Sequence, residues 1–181
     1  MKAIHLLQGF VVILLLTTCG NSGNKTNGKI ILKVPVKVVA IKPTVNVYIE
    51  NSGSMDGYVK GVTEFEQAIY NYLTDIKISQ FSDSLNLFYI NSEIIPQGSD
   101  ISDFIEKLEP TNFKIKGGSR GTTDISNLLK SVLTETSSNE IAILVTDGIF
   151  SPGLGKDAEQ YLVNQQIGIK SNMANYLKRY P

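Results

Sequence analysis

The sequence predicts an α/β fold, a doubly wound and mostly parallel sheet with one antiparallel edge strand. Three observations predict it. From Pro43 onward, β-rich runs alternate with stretches whose apolar residues recur at helical spacing, and that alternation builds a parallel or mixed sheet with helices on both faces. The run Glu140 to Thr146 is apolar from Ile141 to Val145, as expected of a central strand covered on both sides. Only Asn91-Ser92 separates Leu85–Ile90 from Glu93–Pro96. So short a link joins antiparallel neighbours.

Taken in order, Leu32 to Val38 alternates apolar and polar residues, with Lys33, Pro35 and Lys37 on one face. Proline cannot serve a central ladder, so segment 29–42 is expected to supply an edge strand. Val45 to Ile49 is the first buried strand. Thr63-x-x-Glu66 fits a capping box and starts a helix carrying Phe65, Ala68, Ile69, Tyr72, Leu73 and Ile76 on its apolar face. Ile101 to Leu108 is a short helix. A loop with Gly117, Gly118 and Gly121 leads into a helix with Ile125, Leu128, Leu129, Val132 and Leu133 on one side. Asp157 to Leu177 is the last helix, with a break expected at Gly168.

The bulk composition bounds the function. The chain has 181 residues, 17 basic and 17 acidic side chains, and 42% hydrophobic content, which suits one globular domain, here 43–181. With charge balanced and no basic stripe, nucleic acid is not an expected partner.

Residues 1–18 read as a signal peptide, with Lys2 at the positive end and Phe10 to Leu16 as an apolar stretch too short to span a bilayer. Leu16-Thr17-Thr18-Cys19 resembles the lipobox of bacterial lipoproteins. The resemblance implies cleavage before Cys19, acylation there, and a lipid anchor in a membrane of the bacterial cell envelope, facing periplasm or cell surface. Residues 19–28 are small and polar, a flexible tether. Cys19 is the only cysteine and His5, inside the signal, the only histidine. Internal disulfides, serine–histidine and cysteine–histidine catalysis, and ordinary zinc sites are thereby excluded.

Three oxygen-rich stretches stand where a strand hands over to a loop or helix: Glu50-Asn51-Ser52-Gly53-Ser54-Met55, Gly121-Thr122-Thr123-Asp124 and Thr146-Asp147-Gly148. In doubly wound sheets ligands gather beyond the carboxyl ends of the strands. Brought together there, hydroxyls and two carboxylates form the donor set of a hard divalent cation. Each stretch also has a plain structural reading. Ser52-Gly53-Ser54 is a tight loop or an anion nest, Thr122 or Thr123 a helix cap, and Asp147-Gly148 a turn. Asp56 and Asp124 are expected to be solvated acids.

Together, the three stretches resemble the von Willebrand factor type A (vWA) domain family from Val45 onward. That family carries Asp-x-Ser-x-Ser after the first strand, a threonine in a later loop and an aspartate after the fourth strand. Ser52 and Ser54 match the serines, Thr123 the threonine and Asp147 the aspartate, while Glu50 stands in the first aspartate position, one methylene longer. The resemblance implies a Rossmann-like vWA fold and a metal-ion-dependent adhesion site holding Mg²⁺ or Mn²⁺ through Glu50, Ser52, Ser54, Thr123 and Asp147. It further implies a protein or glycan partner whose carboxylate completes the ion's shell, and no enzymatic activity. The alternatives are a metal-free scaffold of the same fold and a metal-dependent phosphoester hydrolase, for which no separate general base stands out. The family continues with further strand and helix, so this chain is expected to be a fragment lacking the last strands. Glu140 to Thr146 would then keep an open edge unless Leu32 to Val38 or a partner's strand covers it.

Overall fold

The computed structural model describes residues 41–179 apart from 62, 116 and 122. The signal peptide, Cys19, the tether and the Leu32 to Val38 strand fall outside the described residues. The elements are β1 (Thr44–Glu50), a 3-10 turn (Ser54–Gly57), α1 (Glu64–Ser79), β2 (Ser84–Ile90), β3 (Ile94–Gly98), α2 (Ile101–Glu106), α3 (Pro110–Ile115), α4 (Ile125–Glu135), β4 (Glu140–Val145) and α5 (Ala158–Arg179). Among the described residues no helix is long and apolar enough to cross a membrane.

The sheet has four strands in the order β3-β2-β1-β4. β1 pairs in parallel with β2 and with β4, and β2 pairs antiparallel with β3. The predicted α/β class and the antiparallel edge are both present. β4 differs from expectation: it is an outer strand among the described residues, and its residues are mostly half-buried. Its apolar run reflects cover on two faces by helices, which does not require a neighbour on each edge.

β1 shows how the layers divide. Side chains alternate across a strand, so Val45, Val47 and Ile49 pack with Ile69, Leu73 and Ile76 of α1. Tyr48 points the other way, toward Leu128 and Val132 of α4. On β4, Ile143 and Val145 join the α1 side while Ala142 and Leu144 join the α4 side. Tyr89 of β2 is held between Phe104 and Phe113, with ring centroids 5.3 and 4.9 Å away. Two such aromatic pairs add about 1 kcal/mol each beyond area burial, and they fasten α2 and α3 to the sheet. The helix α3 had no counterpart in the sequence reading.

Three local expectations resolve differently from one another. Thr63 caps α1 as predicted, its Oγ1 accepting from the Glu66 amide at 3.2 Å. Ala68 and Tyr72, expected on the apolar face of α1, are exposed. No break occurs at Gly168, and α5 runs on for 22 residues. That glycine serves close packing instead: a Cβ there would lie 2.0 Å from Ser126 Oγ and 2.9 Å from Ser126 Cβ.

Candidate functional site

Strand parity decides where Glu50 goes. It is the last residue of β1 and shares a face with Tyr48, so it projects to the α4 side. Thr123 lies just ahead of α4, and its Oγ1 donates to Glu50 Oε1 at 3.2 Å. The β1–β4 register pairs Ile49 with Val145, which sets Thr146 beside Glu50 one step further on. Thr146 Oγ1 donates to Glu50 Oε2. Glu50 is fully buried, yet it turns toward the strand ends and lines a cleft of about 730 Å³ together with Ser52 and Thr123.

Ser52 and Ser54 follow on the loop after β1, their hydroxyls 3.0 Å apart. Ser52 is 3% exposed and Thr123 is 4% exposed, so both hydroxyls sit at the cleft floor rather than on open surface. The Asn51 amide donates to Ile90 O at 3.0 Å, which carries the β1–β2 ladder past the end of the strand and fixes where this loop departs.

The loop before α4 is held from several sides. Gly118 has φ +71°, and a Cβ there would fall 1.8 Å from Asn91 Oδ1; only glycine fits so close to that side chain. Asn91 Nδ2 donates to Gly117 O at 2.9 Å, and the Ser119 amide donates to Ser92 Oγ at 2.7 Å. The Thr123 amide donates to Ser151 O at 3.3 Å, and Tyr161 of α5 donates its hydroxyl to Thr123 O. Burial raises the Tyr161 pKa above its ordinary value, with the Asp124 carboxylate adding to the effect.

Asp147 is the second residue after β4. Its Oδ1 accepts from the Ile149 amide at 2.9 Å. Its Oδ2 is buried and has no hydrogen-bond partner among the described residues. A carboxylate oxygen withheld from water and given no donor is costly, by about 1–3 kcal/mol or more for a charged group. A cation at that oxygen would offset the cost.

Two acids depart from expectation. Asp124 is the N-cap of α4, accepting from the Asn127 amide at 2.9 Å and from Gln165 Nε2 at 2.9 Å. That displaces the expectation of a threonine cap and ties α4 to the buried Gln165 of α5. Asp56 is paired with Arg120 and its side chain is only 29% exposed. A local acidic residue near a loop gives no sign in sequence of whether a partner distant in the chain reaches it.

Of the five expected ligands, the fold joins Glu50 directly to Thr123 and Ser52 directly to Ser54, and gathers Glu50, Ser52 and Thr123 around one cleft. Asp147 follows immediately on Thr146, the residue that binds Glu50. Sequence reasoning quoted Thr146 within the third stretch but gave it no role of its own, and gave none at the site to Tyr161 or Arg120. Thr146 was detectable as a hydroxyl at the end of a strand, directly before the aspartate. Arg120 was detectable as the charged residue between Gly117 and Gly121.

The donor set suits a hard cation and nothing softer. Among the described residues no three His, Cys, Asp or Glu side chains cluster as a metal cage; the candidate residues at the strand ends are the carboxylates Glu50 and Asp147 and the hydroxyls Ser52, Ser54 and Thr123. All are oxygen donors, the kind Mg²⁺ and Mn²⁺ take while retaining water. The chain matches no protein-family model and no curated protein.

Proposed function

We propose that this chain is a vWA-like binding module, tethered through Cys19 to a membrane of the bacterial cell envelope, that captures a protein or glycan partner through a divalent cation. The observation that carries the reading is the partnerless buried Asp147 Oδ2 at the same strand ends as the Glu50–Thr123 and Ser52–Ser54 pairs. Mg²⁺ or Mn²⁺ would be held by Glu50, Ser52, Ser54, Thr123 and Asp147. The bound ion supplies a Lewis-acidic position that a partner's carboxylate can fill. Two carboxylates and three hydroxyls roughly neutralise the ion without saturating it, which favours capture of an anionic group from outside. Glu93, Asp124 and Glu135 also line the cleft; Asp124 is committed to capping α4, and the buried oxygen donors favour a reading of binding over hydrolysis. Calorimetric titration with Mg²⁺ and Mn²⁺ tests it, with Ser54→Ala as the control. Binding heat that Ser54→Ala reduces is expected; absence of heat with either ion refutes the reading.

One observation favours a metal-free scaffold instead. Both Glu50 oxygens already accept hydroxyl hydrogen bonds, so this carboxylate is satisfied without an ion. On that reading Ser52→Ala and Asp147→Ala would leave partner binding unaltered, and chelator would have no effect on it.

A further inference from the structure

The geometry points to Arg120 as the positioning residue of this site, a guanidinium clamp that fixes the serine loop against the threonine loop. Arg120 Nε donates to Asn51 O at 2.5 Å, and Nη2 donates to Ser52 O at 3.1 Å. The same Nη2 pairs with the Asp56 carboxylate. In return the Gly53 amide donates to Arg120 O at 3.0 Å. Four contacts therefore join residues 51–56 to a single residue three positions ahead of Thr123. They bracket Ser52 and Ser54 on both sides in sequence.

Arginine suits this task because its rigid planar fork can address several acceptors at once, where lysine presents a compact point charge. The Arg120 side chain is 15% exposed, and its guanidinium carbon lies 5.8 Å from the centroid of the Phe113 ring, within cation–π reach. Phe113 is itself wholly buried and its carbonyl accepts from Asn51 Nδ2 at 3.4 Å. The clamp is thus seated on α3, and through Tyr89 on the sheet. The serine hydroxyls belong to a loop and turn, not to a strand, so nothing in the sheet ladder alone fixes their distance from Glu50 and Thr123. Arg120 supplies that link. It touches none of the proposed ligand oxygens and acts through the backbone of the loop.

The experiment is amide hydrogen exchange on the cation-free chain, wild type against Arg120→Gln, followed by Mn²⁺ titration of both. The cation arm rests on the proposed function; the exchange arm does not. Faster exchange confined to residues 51–56, with β1 and β2 unchanged, is expected, together with Mn²⁺ affinity at least about tenfold weaker, the loss typical of a removed outer-shell partner. Unchanged exchange in 51–56 overturns the clamp. Faster loop exchange with Mn²⁺ affinity intact overturns the positioning role. If the wild type binds no Mn²⁺, the proposed function fails and the exchange result still decides the clamp. Should Arg120→Gln not fold, Asp56→Asn keeps both carbonyl contacts and removes the ion pair; it is expected to loosen the same loop less, and no change there overturns the proposal.

Discussion

Replacing Glu50 by glutamine separates a cation site from a self-satisfied polar core, because the two predict opposite consequences. The wild-type carboxylate is fully buried and accepts from Thr123 and Thr146. Glutamine has the same length and can accept from one hydroxyl and donate to the other. Exchanging two charge-assisted bonds for neutral ones loses about 1 kcal/mol each. Against this, the desolvation of a buried carboxylate, several kcal/mol, is relieved. Without cation the variant is therefore expected to be as stable as the wild type, or more stable by about 1–2 kcal/mol. With cation the balance reverses. Two unit charges about 4 Å apart at an effective dielectric near 20 interact by about 4 kcal/mol, and a divalent ion doubles that to about 8 kcal/mol; even half of it is roughly three orders of magnitude in affinity. Thermal unfolding with and without Mn²⁺ reads both effects. At about one hundred times its dissociation constant, the ion stabilises the wild type by about 2.7 kcal/mol. For a domain of this size that raises Tm by about 8 °C. The glutamine variant is expected to show no rise at the same Mn²⁺ concentration. An equal rise in both proteins would refute the role given to Glu50, and a large fall in the variant's cation-free Tm would refute the accounting.

Gly168→Val drives a side chain into Ser126, given the 2.0 Å clearance, and should cost about 2 kcal/mol, since forced overpacking typically costs 1–3 kcal/mol; urea unfolding measures it, and an unchanged midpoint would mean that α4 and α5 do not approach so closely. Thr63→Ala removes the acceptor of the Glu66 amide and the donor to Tyr58 O at 2.7 Å, and should cost about 1 kcal/mol by the same measurement. Tyr161 gives a pH signature. Its folded pKa lies above the ordinary 10.0, through burial and then the Asp124 carboxylate. Its contribution is therefore complete below pH 10.0 and is lost as pH rises through the folded pKa. Tyr161→Phe lacks the hydroxyl that donates to Thr123 O and should show a shallower loss of Tm in that alkaline window; parallel profiles for the two proteins would count against the contact.

The extra methylene of Glu50 has a visible use. At the first position of the serine loop, an aspartate carboxylate would stop short by about one carbon–carbon bond, some 1.5 Å. Glu50 instead reaches hydroxyls on both sides, Thr123 from the loop before α4 and Thr146 from the end of β4. These come from segments 73 and 96 residues away. A single buried side chain thus fastens three segments together at the carboxyl end of the sheet. It does so while remaining on the cleft wall.

What was legible in the sequence was what period and punctuation encode. β1, β2 and β4 follow from short apolar runs, α1 from its threonine cap, and the β2–β3 hairpin from the brevity of Asn91-Ser92, because each depends on residues close in the chain. The meeting of Glu50 with Thr123 was foreseeable only as a consequence of fold class: parallel strands bring their carboxyl ends to one side of the sheet. Arg120 escaped because its acceptors are mostly backbone carbonyls, 69 and 68 residues away, and a carbonyl carries no sequence signature. Gly168 was misread for the same reason. Glycine in a helix is locally a weakness, and only the proximity of Ser126 on a neighbouring helix turns it into a requirement. The residues that give this site its shape are thus ones whose meaning is set by long-range backbone approach, whereas side-chain chemistry marked out Ser52, Ser54 and Asp147 in advance.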